Sequence, residues 1–144
     1  MDDAAIDLEL ALWDARQPPW ERQDPVWTLI AFRLSRFVLD LARADLRAVA
    51  HRVPLRTRDQ LLRAVASISA NVGEGYARPG NAERARFYAF ALGSAREATV
   101  WYRAIGDALP GNVLEQRVAV LARIRRLLLG LMKAGGRRKV GDAG

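Results

Sequence analysis

Residues 67–98, SISANVGEGYARPGNAERARFYAFALGSAREA, decide the fold. Upstream of Arg78-Pro79-Gly80 the apolar residues Leu61, Val65, Ile68 and Val72 recur at spacings of three and four, the period of one helix face. Downstream, Phe87, Phe90, Ala91, Ala95, Ala98, Trp101, Tyr102 and Ile105 do the same. Arg78-Pro79-Gly80 cannot continue a helix and makes a turn. The stretch is therefore a helix–turn–helix pair with antiparallel arms. Thr57 and Gln60 form a capping-box pattern at its start, and Asn81 caps the second arm.

Two further helices flank this pair. One is expected from Asp24-Pro25, an N-cap followed by proline at the first helical position, to the stop at Pro54, a length of roughly 40 Å. Its stripe is Trp27, Ile30, Leu34, Phe37, Val38, Leu41 and Val49. The other follows Leu109-Pro110-Gly111, starts at Asn112-x-x-Glu115, carries Leu114, Val118, Leu121, Ile124, Leu128 and Leu131, and ends at Gly135-Gly136. Short joints make sequential helices antiparallel. The fold class is all-α: an antiparallel up-down four-helix bundle over residues 25–135, preceded by an acidic arm (1–24) with a short amphipathic helix around Ala4–Ala15 and followed by a basic, disordered tail (136–144). No internal repeat is visible.

Composition narrows the function. The chain has no cysteine and one histidine, His51, which excludes disulfides, thiolate metal sites and His-rich centres. No apolar run approaches the ~20 residues that span a bilayer, and the acidic amino terminus is unlike a secretory signal, so a cytoplasmic protein without membrane contact is expected. The net charge of +7 is unevenly placed: residues 1–24 hold seven acids against Arg16 and Arg22, a net of −5, which leaves +12 on the remainder. Of 23 cations, 21 are arginine, whose planar fork binds phosphate bidentately. A GC-rich coding sequence would also favour arginine, but it does not account for the net charge.

The basic residues point to a polyanion. Arg36, Arg43 and Arg47 recur along one stripe of the first bundle helix, and Arg123, Arg126 and Lys133 along the fourth, followed by Arg137, Arg138 and Lys139. These nine are the candidate nucleic-acid contacts. Ser67, Asn71, Glu74 and Arg78 form a polar stripe on the second helix, facing Ser94 and Glu97 on the third. Three readings stand for it: a hydrogen-bond network between helices, a subunit interface, or a Glu74–Glu97 carboxylate pair. No histidine, phosphate loop or Glu-x-x-His motif accompanies those acids, so no enzyme, metal or cofactor is expected. His51, beside Arg47 and Arg52, reads as a surface or capping residue, and Trp101 and Tyr102 as core.

The pattern R-A-x-x-S-I-x-A-N-x-x-E-G-x-x-R is met by Arg63, Ala64, Ser67, Ile68, Ala70, Asn71, Glu74, Gly75 and Arg78, and G-S-x-x-E by Gly93, Ser94 and Glu97 after Phe87. In this the chain resembles the four-helix-bundle proteins encoded by intervening sequences of bacterial 23S rRNA genes, including the Avd-type accessory proteins of diversity-generating retroelements. The resemblance extends by pattern over residues 27–132 and leaves out the acidic arm. It implies a homopentamer with a basic surface and, in the retroelement branch, a reverse transcriptase and RNA as partners. The expected function is thus a non-catalytic, oligomeric RNA- or DNA-binding accessory protein; the alternative is a protein-interaction scaffold with no reverse-transcriptase partner.

Overall fold

Each helix forms where an apolar stripe meets a usable end. In the computed structural model, which describes residues 1–135, the elements are α1 (Asp3–Asp14), α2 (Pro19–Arg22), a 3-10 turn (Pro25–Thr28), α3 (Ile30–Ala48), α4 (Leu55–Ala77), α5 (Asn81–Ala104), a second 3-10 turn (Gly106–Ala108) and α6 (Val113–Lys133). The all-helical bundle is as expected. Helices α3 to α6 pack in a ring, each against the next, with α3 closing on α6. The expected tail, with Arg137, Arg138 and Lys139, lies outside the described residues.

The helix ends differ from the sequence reading. Asp24 does cap, its carboxylate accepting from the Val26 amide at 3.0 Å, but it closes the 3-10 turn rather than α3. Leu29 is extended, so α3 begins at Ile30 and runs for about 28 Å. The break turns Trp27 inward, where its ring stacks on Trp13 of α1 at 5.7 Å between centroids. The Thr57–Gln60 box is not used, because α4 starts two residues earlier, at Leu55. The Pro54 carbonyl takes the amides of Thr57 and Arg58 instead, each at 3.1 Å. Asn81 is the first residue of α5 rather than its cap, and its side chain accepts from Arg84. Asn112 stands at the α6 cap, yet its amide oxygen accepts from the Gln116 side chain at 3.1 Å.

The core is one continuous cluster that includes α1 through Ile6, Leu10 and Trp13. Within α5 the buried face is shifted from the one expected. Tyr88 is fully buried, Phe87 is half-buried and Phe90 is exposed. Gly75 makes room for that tyrosine: a Cβ there would lie 2.9 Å from the Tyr88 ring and 3.1 Å from the Phe87 Cβ, so α4 and α5 reach this spacing only with glycine.

Three polar side chains lie inside the same core. Arg117 of α6 donates to both Asp45 oxygens, at 2.8 and 3.1 Å, and the Tyr102 hydroxyl of α5 donates to Asp45 at 2.7 Å. This joins α3, α5 and α6. Burial opposes the Arg117 charge, but the hydrogen bonds and charge of Asp45 outweigh it and hold the guanidinium above its usual range. Burial first, then the Asp45 charge, pushes the Tyr102 phenol far above its usual range.

Asp45→Ala leaves a buried guanidinium without its counter-ion and is expected to cost about 3–5 kcal/mol in urea unfolding. An unfolded phenol ionises near pH 10, whereas folded Tyr102 keeps its proton. Stability from this group is therefore complete below about pH 10 and falls as pH rises past it, because the unfolded state loses the proton first. Tyr102→Phe should make the alkaline arm of the stability–pH curve shallower.

Candidate nucleic-acid interface

Ion pairing divides the basic residues by place. In the up-down bundle, the C-termini of α3 and α5 share an end with the N-termini of α4 and α6. Near the opposite end the acidic arm lies against α3 and α6 and takes up their arginines. Arg123 is ion-paired with Asp7 and also donates to the Asp3 carbonyl at 3.2 Å. Arg126 meets the Asp3 carboxylate at 2.8 Å, Arg36 pairs with Glu21, and Arg33 lies 3.5 Å from Asp14. Three of the candidate contacts, Arg36, Arg123 and Arg126, thus already have carboxylate partners. Lys133 is exposed at the end of α6.

The arm is held by more than charge. Ile6 is 1% exposed, Trp13 tilts onto Phe37, and the Trp13 indole donates to Asp40 at 2.9 Å. The Trp27 indole donates to Asp14 at 2.7 Å, so one tryptophan of the stack ties α1 to α3 and the other ties the 3-10 turn to α1.

At the other end the cations are open. Arg43 and Arg47, one turn apart on α3, are exposed and form no ion pair among the described residues. They line a groove of about 330 Å³ together with Leu46, Ala50 and, on α4, Arg58, Asp59 and Leu62. Arg58 is anchored by its Nε, which donates to the Val53 carbonyl at 3.0 Å. Arg56 and Arg63 on α4 and Arg103 on α5 are also exposed. Arg52 donates to the Ala108 carbonyl at 3.4 Å. His51 sits exposed in the α3–α4 turn. Arg58 was not among the expected contacts. Folding the chain back at Pro54 places the start of α4 beside Arg43 and Arg47, and that hairpin arithmetic would have found it.

The polar stripes separate into unlike parts. Ser67 and Ser94 share a hydroxyl hydrogen bond of 2.8 Å, and the Asn71 amide donates to the Ser67 carbonyl at 2.8 Å and hydroxyl at 3.0 Å. Glu74 pairs with Arg78 at the surface, and Glu97 accepts from the Trp101 indole at 3.3 Å. With Ser67 opposite Ser94 in antiparallel helices, Glu74 and Glu97 are ten residues apart along the axis, about 15 Å. No carboxylate pair is formed by them. The cap of α5 holds another cluster that sequence reading passed over: buried Arg84 donates to the carbonyls of Arg78 at 2.8 Å and Pro79 at 2.7 Å.

The family model of 23S rRNA-intervening sequence proteins matches residues 36–109, from α3 to the turn after α5. Among solved structures, the chain is similar to a protein of the S23 ribosomal protein family from Bacteroides thetaiotaomicron, with a TM-score of 0.60 and 19% identity. That match covers 72% of this chain and 94% of the other, and at such identity it carries the fold. No curated protein matches the chain. No helix among the described residues is long and apolar enough to cross a membrane.

The geometry predicts what holds the arm. Trp13→Ala should cost about 3–5 kcal/mol by urea unfolding, as for other large buried aromatics. Asp3→Asn with Asp7→Asn should cost about 1–2 kcal/mol, less than the tryptophan, because the Arg126–Asp3 pair lies in water and only the Arg123 side chain, 12% exposed, loses a partner in a sheltered place.

Proposed function

Because the chain belongs to the 23S rRNA-intervening sequence protein family, we propose that it is a non-catalytic RNA-binding accessory protein that acts as a homo-oligomer. The observation that carries this reading is the open arginine end of the bundle, where Arg43, Arg47 and Arg58 face one groove without an ion pair among the described residues. Phosphate supplies the missing counter-charge there. Counterions condensed on the nucleic acid are released when arginines replace them, and this release favours binding. Arg36, Arg123 and Arg126 contribute less, since a phosphate would first have to displace Glu21, Asp7 or Asp3.

The resemblance to Avd-type proteins extends the proposal to a reverse-transcriptase partner in a diversity-generating retroelement. Part of the surface suits a protein. Leu8 and Leu12, one turn apart on the outward side of α1, are 65% and 60% exposed, and Trp20 is 74% exposed. The same apolar side chains favour the second reading, a protein-interaction scaffold. Co-purification with a reverse transcriptase, lost in Leu8→Glu with Leu12→Glu, separates the two. A homo-oligomer predicts a light-scattering mass of several chains.

RNA affinity measured against salt should fall, with a log–log slope of about −1.4 attributable to two phosphate contacts, at Arg43 and Arg47, on a single strand. Arg43→Glu, Arg47→Glu and Arg58→Glu together should remove that part of the slope. Arg123→Glu with Arg126→Glu should leave it largely in place. A salt-independent affinity, or loss only in the second variant, would sink the assignment.

A further inference from the structure

Resting on the RNA-binding reading, the α3–α4 groove has a feature that phosphate contact alone does not require, namely an apolar lining. Buried Leu46, half-buried Leu62 and exposed Ala50 line the groove together with Arg43, Arg47 and Arg58, in a volume of about 330 Å³. This is the low end of the range for small-ligand sites. Leu46 belongs to the bundle core and Leu62 packs against it, so α3–α4 packing places them; where they reach the groove they offer a base face an apolar surface. Asp59 adds a second departure, a carboxylate in the same groove with no ion pair among the described residues. It repels phosphate and can accept from the N–H groups on a base edge.

We propose that this groove takes one unstacked nucleotide of single-stranded RNA, the base lying on Leu46, Ala50 and Leu62 and the phosphates held by Arg43 and Arg47. Asp59 orients the nucleotide by drawing the donor edge of the base toward α4 and keeping the phosphates on the α3 side. Arg58, held at its Nε by the Val53 carbonyl, offers a guanidinium plane for the base to stack on. A duplex cannot fill this site. Packed helix axes stand only about 8–10 Å apart, so paired bases stay outside, and only phosphates reach the rim.

The test uses the full chain and a mixed-sequence 12-nucleotide RNA without self-complementarity, single-stranded or annealed to its complement, with one 2-aminopurine. The single strand is expected to bind at least tenfold more tightly than the duplex at equal salt, with a rise in 2-aminopurine fluorescence as the base leaves its stack. Ala50→Trp fills the groove from an exposed position in the α3–α4 turn without changing charge. It should abolish the preference while heparin binding stays unchanged. Asp59→Asn should weaken the single strand several-fold although it makes the protein more positive; a carboxylate that acted only by repulsion would give tighter binding. Equal affinity for the two RNAs, unchanged fluorescence, or an unaffected Ala50→Trp would overturn the groove assignment and leave RNA binding standing. Failure of both RNAs to bind would overturn both.

Discussion

The buried Asp45–Arg117–Tyr102 cluster constrains the rest of the bundle. A carboxylate taken out of water is tolerated only with its partners in place, so α3, α5 and α6 must meet at one register. Apolar stripes alone do not impose this, because leucine-rich faces can slide by a turn with little loss. The cluster lies near the end where α3 and α5 finish and α6 starts. It also fixes the rotation of α3. With Asp45 facing the core, Arg43 and Arg47, each two residues away and rotated by about 200°, must face water. Two faces of one element are thus linked: an interior ion pair orients the exterior arginines.

The acidic arm acts on the same helix from the other side. Its carboxylates neutralise Arg33 and Arg36 on α3 and Arg123 and Arg126 on α6, while Ile6, Leu10 and Trp13 bury the helix that carries most of them. The arm is a part of the core as well as an internal polyanion. One set of arginines is neutralised within the fold, while Arg43 and Arg47 at the other end form no ion pair among the described residues.

The helices were legible because periodicity is local. Every bundle helix could be placed from its stripe, and Pro54, Arg78-Pro79-Gly80 and Pro110 marked the joints. The caps were not. At Pro54 the proline carbonyl already accepts the first amides of α4, so Thr57 has no orphan donor to serve. At Asp24 the inward pull of Trp27 onto Trp13 interrupts the helix that the cap would have started. The α5 stripe was misread by one position at Tyr88, because Phe87, Tyr88 and Phe90 are all aromatic and only the Gly75 gap on α4 decides which one enters. Asp45 and Arg117 are 72 residues apart and each reads as an ordinary surface charge. Nothing short-range marks them as partners.

The same long-range pairing decides how net charge should be read. The +12 of the body is not +12 of accessible field, since at least four of its arginines are cancelled by carboxylates of the arm. A uniform basic surface would hold any polyanion at any point, with affinity scaling with total charge. A surface neutralised over one face confines attraction to the other end, where field strength adds over a few neighbouring arginines and falls off within about 8 Å in physiological salt. Position then matters more than total charge. The acidic arm therefore sets where on the bundle the unneutralised arginines stand.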